Sequence, residues 1–293
     1  MVAASWRDYL EMCKPRVVAL MLITALVGTF LAVPASLGLP PLPLVAAAML
    51  GIALMAGSAA VLNHVADAHI DAHMGRTRER PMVRGLVPMP RAMLFSAALA
   101  LAGMTLLTFA VNPITAWLNL VSWAGYGIIY TLYLKRLTPQ NIVIGGLFGA
   151  APPLFGWTAV TGTLALEPVL LVLIIFLWTP PHFWALALDR LDEYAKAGVP
   201  MLPVTHGEAH TRTQIVIYTV ALTVCSLLPW ALGMTGPLYA AAALLLGSMF
   251  LRHAWALYRQ RPGAAMATFR FSIVYLGALF AALLVDHYAF GRV

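Results

Sequence analysis

Residues 42–81 read LPLVAAAMLGIALMAGSAAVLNHVADAHIDAHMGRTRERP, and this stretch decides the architecture. No Asp, Glu, Lys or Arg interrupts it between Leu42 and Ala66. The apolar run 42–64 is therefore long enough to cross the roughly 30 Å hydrocarbon core of a bilayer as a helix. Asn63, Asp67 and Asp71 then follow at four-residue steps, ahead of a loop carrying Arg76, Arg78, Arg80 and Arg84. On a helix each such step turns about 400° and rises about 6 Å, so the three oxygen-bearing side chains form one stripe at the inner end of this span. An acid in a span costs roughly 2.5–3.5 kcal/mol on insertion scales and marks a functional position. The stripe suits a hard cation: Mg²⁺ takes one or two carboxylates plus substrate phosphates, and the arginines suit phosphate oxygens. His64, His69 and His73 share no clean face with the carboxylates, which argues against a zinc or iron site.

The rest of the chain repeats the pattern of apolar run and polar link. Of 293 residues, 61% are AVILMFWYC and only 10% are charged, against roughly 25% in soluble domains. That excludes a soluble enzyme. About nine spans are expected, near 17–35, 42–64, 92–111, 114–134, 141–160, 168–188, 214–233, 237–257 and 271–291, in a single polytopic domain over 1–293. The net charge of +7 points to loops facing anionic lipid and an anionic substrate, not to nucleic acid. With the N-terminus inside, 17 of the 18 Lys and Arg residues fall on inner segments and only Arg292 lies outside, which leaves the C-terminus outside. The N-terminus carries Asp8 and Glu11 and lacks the pattern of a cleaved signal or a transit peptide, so a bacterial inner membrane is expected. Cys13 and Cys225 form no CxxC and read as buried thiols.

Seven of the eleven acids sit in two inner loops, 65–91 and 189–213. In the second, Asp189 and Glu193 are again four apart, with Asp192 beside them, and are expected on one helical face as a second cation site. His182 follows Pro180-Pro181, where a helix break beside a cavity is expected. A third inner segment holds Tyr130, Lys135, Arg136 and Asn141, with the basic pair as candidate diphosphate contacts.

The spacing NxxxDxxxD followed by a basic loop resembles the UbiA superfamily of intramembrane prenyltransferases. Longer strings are similar to its protohaem IX farnesyltransferase (haem O synthase) branch, over about residues 9–207 and more faintly to the end: Cys13-Lys-Pro-Arg-Val, Asp71-Ala-His-Met-Gly-Arg-Thr-Arg78, Tyr130-Thr through Lys135-Arg136 to Asn141-Ile-Val-Ile-Gly-Gly, Pro152-Pro153, His182-Phe-Trp-Ala, and Ala197-Gly-Val-Pro-Met-Leu-Pro203. The resemblance implies an all-α membrane protein, a bundle of about nine helices enclosing an intramembrane cavity open towards the cytoplasmic face. It implies Mg²⁺-dependent transfer of the farnesyl group of farnesyl diphosphate to a vinyl of haem B, with addition of water, giving haem O. Asn63, Asp67 and Asp71 would then be the first metal and diphosphate motif, and Asp189 with Glu193 the second, for two Mg²⁺ ions in all. Arg76, Arg78, Arg80, Tyr130, Lys135, Arg136, Asn141 and His182 would bind substrate. Membrane lipid is a partner on this reading, with haem-modifying or oxidase-assembly proteins as further candidates. Prenylation of an aromatic quinone precursor would use the same diphosphate chemistry. A cation-coupled transporter would instead place acids near the bilayer midplane with broken helices there, whereas here they cluster at one face.

Overall fold

A computed structural model describes residues 4–72, 75 and 77–290, with the backbone alone at residue 136. The described residues are helical with no strands. In chain order the helices are α1 (Trp6–Met12), α2 (Pro15–Leu31), α3 (Leu42–Asp71), α4 (Met89–Ala110) and α5 (Pro113–Ala124). A π-helical stretch (Gly125–Leu134) then leads into α6 (Lys135–Leu137), followed by α7 (Asn141–Gly149), α8 (Pro152–Thr161), α9 (Leu166–Asp189), α10 (Leu191–Lys196), α11 (Leu202–Cys225), α12 (Leu228–Ala231), α13 (Pro237–Tyr258) and α14 (Ala264–Phe290). Prolines open most of the long helices, including α2, α3, α4, α5, α8, α11 and α13. There the missing N–H has no intrahelical partner to lose.

Seven of these helices or helix pairs are long and apolar enough to cross a membrane, and eight if α1 and α2, bent by 54°, make one span. That count is lower than the nine expected from sequence. The difference includes residues 113–137, which are helical throughout but pass from α to π winding and back. Pro180 and Pro181 lie inside α9 without ending it, so the break expected before His182 is corrected to a continuous helix. Two prolines in succession remove adjacent backbone donors. The Thr179 hydroxyl donates to the Ile175 carbonyl at 2.8 Å, which gives the chain a local polar contact at that point.

Packing is closest where side chains are smallest, as expected when lipid provides no hydrophobic drive between helices. Gly28 of α2 faces the Pro153 backbone, and Gly156 of α8 faces Ala25. Serines glue a second contact: Ser58 of α3 and Ser96 of α4 exchange hydrogen bonds, and Trp123 Nε1 of α5 donates to Ser58 at 2.9 Å. At the far end of the chain α14 returns to α2, where His287 Nε2 lies 3.0 Å from the Val33 carbonyl oxygen.

Asp286 of α14 is wholly buried, yet it is satisfied. Its carboxylate accepts from the backbone N–H groups of Gly236 and, at 3.1 Å, Tyr239. It thus caps α13 from another helix, at the end where the helix dipole favours a negative charge. Asp286→Ala should lower thermal stability in detergent by about 1–2 kcal/mol, the upper range for a lost cap, and Asp286→Asn by less.

Candidate active site

The stripe predicted on α3 is helical to its end, and its three members are almost fully buried: Asn63 at 2%, Asp67 at 3% and Asp71 at 4% exposure. Each one meets a partner from a different part of the chain. Lys14, at the break between α1 and α2, donates its ammonium to Asn63 Oδ1. The Asn63 amide donates in turn to Thr131 Oγ1 at 3.2 Å. Lys135 Nζ lies 2.6 Å from Asp67 Oδ2, and Arg80 Nη1 lies 2.5 Å from Asp71 Oδ2. Three cations therefore converge on one polar stripe.

The π-helical stretch brings two of these partners in. Its wider turn lets the Thr131 hydroxyl donate to the carbonyl of Tyr126, five residues back, at 2.7 Å. The N–H of Lys135 likewise reaches the Tyr130 carbonyl, also five back. π-Helical turns recur at functional sites. Tyr126 and Tyr130 stack with ring centroids 5.3 Å apart, and the Tyr130 ring lies against Gly145 of α7 so closely that a Cβ there would stand 2.3 Å away. Asn141, at the start of α7, is wholly buried, and its amide donates to the Lys135 carbonyl at 3.3 Å.

Several polar atoms of this region are buried without a partner: Asp67 Oδ1, Asn141 Oδ1 and both ring nitrogens of His64. Buried polar groups are nearly always hydrogen-bonded, so these four atoms are the natural acceptors and donors for an incoming ligand. Each carboxylate of the stripe commits its Oδ2 to a cationic side chain, and Asp67 keeps its Oδ1 unpartnered. Among the described residues no three of His, Cys, Asp and Glu could hold a metal by themselves. Mg²⁺ needs no such triad, because one or two carboxylates with substrate phosphates and water suffice. Asp67 and Asp71, with the Asn63 carbonyl oxygen, fit that requirement.

Sequence left the arginines undivided, and the structure separates them. Arg80 reaches the stripe, whereas Arg78 is exposed and lies 3.6 Å from Glu79 on the surface. Arg76 lies outside the described residues, as does the side chain of Arg136. Arg80→Ala should therefore destabilise the protein by about 3–5 kcal/mol, the cost of leaving a buried carboxylate without its partner. Arg78→Ala should cost about 0–1 kcal/mol. Thermal unfolding of the two variants side by side checks this.

Asp189 and Glu193 do not share one helix. Helix α9 ends at Asp189, Arg190 leaves the helical region (φ −115°, ψ 26°), and Glu193 begins afresh on α10. Arg190 itself bridges them, 2.8 Å from Glu193 Oε1 and 3.5 Å from Asp189 Oδ2. The hydrogen bond to Glu193, then the charges of Glu193 and Asp189, hold its guanidinium more firmly protonated. The two polar loops pack on one apolar cluster. Ile70 beside Asp71, Ile142 beside Asn141, and Tyr194 beside Glu193 belong to one cluster.

His182 stands apart from the stripe in its contacts. Its ring stacks on Trp178 at 4.2 Å and on Phe269 of α14 at 4.6 Å, and its Nδ1 lies 2.7 Å from Ser272 Oγ. Phe183 is partly exposed, while Trp184 is buried with its indole N–H unpartnered. Lys14 and Thr131 are the polar residues of the stripe that sequence reasoning did not place there. The Lys14-Pro15-Arg16 string was the one available signal for the first.

Comparison with known proteins agrees in direction. The model of the UbiA prenyltransferase family matches residues 21–284. A protein named protoheme IX farnesyltransferase 1 from Pseudomonas putida (strain GB-1) is 61% identical over 97% of this chain and 95% of its own. Proteins named protoheme IX farnesyltransferase from Azotobacter vinelandii and Hahella chejuensis are 60% and 59% identical, each over 95% of its own length. Among solved structures, a digeranylgeranylglyceryl phosphate synthase in membranes superposes with a TM-score of 0.80 at 20% identity, over 97% of this chain and 98% of that one. A UbiA homologue from Archaeoglobus fulgidus bound to DMAPP and Mg²⁺ superposes with a TM-score of 0.69 at 15% identity, over 94% and 99%. At these identities the structures speak to the fold alone.

Proposed function

This chain belongs to the UbiA prenyltransferase family, and from that premise we propose that it transfers the farnesyl group of farnesyl diphosphate to a vinyl group of haem B, with addition of water, giving haem O and diphosphate. The observation that carries the reading is identity of about 60% over nearly the whole chain with proteins named protoheme IX farnesyltransferase. The converging cations on the α3 stripe support it, because a diphosphate is what three cations and two carboxylates at one membrane face can hold through metal.

In this mechanism Asn63, Asp67 and Asp71 would hold Mg²⁺, and Asp189 and Glu193 would be the candidates for a second ion. The metal, when bound, supplies Lewis-acid neutralisation of charge on the departing diphosphate. The chain's own residues do the rest. Lys14, Lys135 and Arg80 present cations towards the phosphate oxygens, and charge-assisted contacts of this kind strengthen as charge grows on the leaving group. Tyr126 and Tyr130 wall the allylic carbon and keep water from the cation that forms there. The electron-rich vinyl attacks that carbon, and water then adds beside the porphyrin. His182, held between Trp178 and Phe269, is proposed as part of the wall of the haem slot.

The protein sits in the inner membrane on this reading, with the N-terminus cytoplasmic, the C-terminus outside and the whole chain acting as one domain. The test is acceptor dependence. Diphosphate release from farnesyl diphosphate and Mg²⁺ should need haem B, and a hydroxybenzoate or naphthoate should not replace it. Release driven by the hydroxybenzoate or naphthoate, and not by haem, would move the assignment to quinone-precursor prenylation.

A further inference from the structure

A second site lies outside the stripe. An apolar groove of about 670 Å³ opens between α1, α2, α3 and α4, with Trp6, Leu10, Ala19, Leu54, Gly57 and Phe95 among its walls. Its volume falls within the roughly 300–1,000 Å³ of small-molecule sites. Gly57 adds no side chain to this wall, and the atoms nearest to a Cβ built there belong to Cys13 and Leu99, at 3.5 Å and beyond. The groove is not the stripe's own cavity. None of Asn63, Asp67 and Asp71 lines it, and Asp67 and Asp71 lie about 15 and 21 Å further along α3 than Gly57.

The rim is cationic at the end where α2 and α4 begin. Arg7 lies over the Trp6 ring at 5.5 Å. Arg16 follows the groove residue Pro15, and Arg91 stands one turn before Phe95 on the same face of α4. All three are exposed. The acids nearby are Asp8 and Glu11. Asp8 is turned back on Ser5, whose N–H and hydroxyl donate to it at 2.7 and 2.8 Å, and these bonds hold its carboxyl below the usual range. Those bonds leave Asp8 charged, so three cations stand beside two carboxylates and the mouth of the apolar slot keeps a net positive charge.

We infer that this groove binds an anionic phospholipid, one acyl chain lying between α1 and α4 and the phosphate resting on Arg7, Arg16 and Arg91. Apolar slot and basic rim together match the two halves of such a lipid. A zwitterionic lipid would gain the slot but lose part of the rim.

The experiment uses the full chain in phosphatidylcholine nanodiscs doped with phosphatidylglycerol that carries a photoreactive acyl chain. Label should map to α1, α2 and α4 around the groove, about tenfold above the matching phosphatidylcholine probe. An Arg16→Gln, Arg91→Gln double variant should fall to the phosphatidylcholine level. Gly57→Leu, or Ala19→Phe at the exposed wall should the first fail to fold, should remove labelling by both probes. Equal labelling by the two probes, or labelling indifferent to the arginines, would overturn the inference. So would displacement of the label by farnesyl diphosphate, which would assign the groove to the prenyl chain.

Discussion

Asp67→Asn should leave the protein folded in the membrane and reduce turnover by roughly 10²–10³-fold, the range seen when one group that stabilises transition-state charge is removed. The substitution keeps the size of the side chain and deletes its charge. It removes the partner of Lys135, 2.6 Å away, and with it the carboxylate whose second oxygen is buried and unpartnered. The substituted amide can accept one hydrogen bond from Lys135 but binds a divalent cation far more weakly than a carboxylate does. Steady-state kinetics on membranes holding matched amounts of each protein would check it. The loss should appear in kcat, and raising Mg²⁺ should restore part of it. Wild-type turnover would remove the stripe from the chemistry.

Gly156→Leu should prevent assembly of the bundle. A Cβ at residue 156 would stand 1.8 Å from the Ala25 carbonyl oxygen, and one at residue 28 would stand 2.1 Å from that of Pro153. Both obstacles are backbone, so no side-chain rotation relieves them, and α2 would have to leave α8. Overpacking against movable side chains costs about 1–3 kcal/mol; here the cost should exceed that range, and even Gly156→Ala should be strongly destabilising. Gly277 in α14 provides the contrast, since a Cβ there meets nothing within 4 Å. Gly277→Ala should be neutral, or stabilising by up to about 1 kcal/mol. Thermal unfolding in detergent separates the two cases.

The parts of this architecture that sequence disclosed are those fixed by local composition. Apolar runs located most of the long helices, because exclusion of charge from hydrocarbon acts on each segment by itself, but not their polar ends: α11 begins twelve residues and α14 seven residues before the apolar run, and α3 ends seven residues after it. The four-residue spacing gave the stripe, because α3 stays helical through Asp71. Its partners were beyond local reasoning. Lys14 comes from 49 residues away, and Thr131 and Lys135 from 68, so only the packing of α2 and the π-helical stretch against α3 brings them in. Nothing in the run 114–134 announces a change of winding at Gly125; that depends on how tightly Tyr130 is received by Gly145 of α7. Arg190 could not be recognised as a helix break, since Asp189 and Glu193 have helical spacing. Nothing local to Asp286 announces its task, which is set by α13 beside it.

The claim on which the rest turns is that haem is the acceptor and that water completes the product. Wild-type protein incubated with farnesyl diphosphate, Mg²⁺ and haem B in oxygen-18 water, with the porphyrin products analysed by mass spectrometry, tests both at once. The account predicts haem O in one-to-one ratio with released diphosphate and one heavy oxygen in its new hydroxyl group. Unmodified haem beside released diphosphate, or a farnesylated haem without the heavy oxygen, would contradict it.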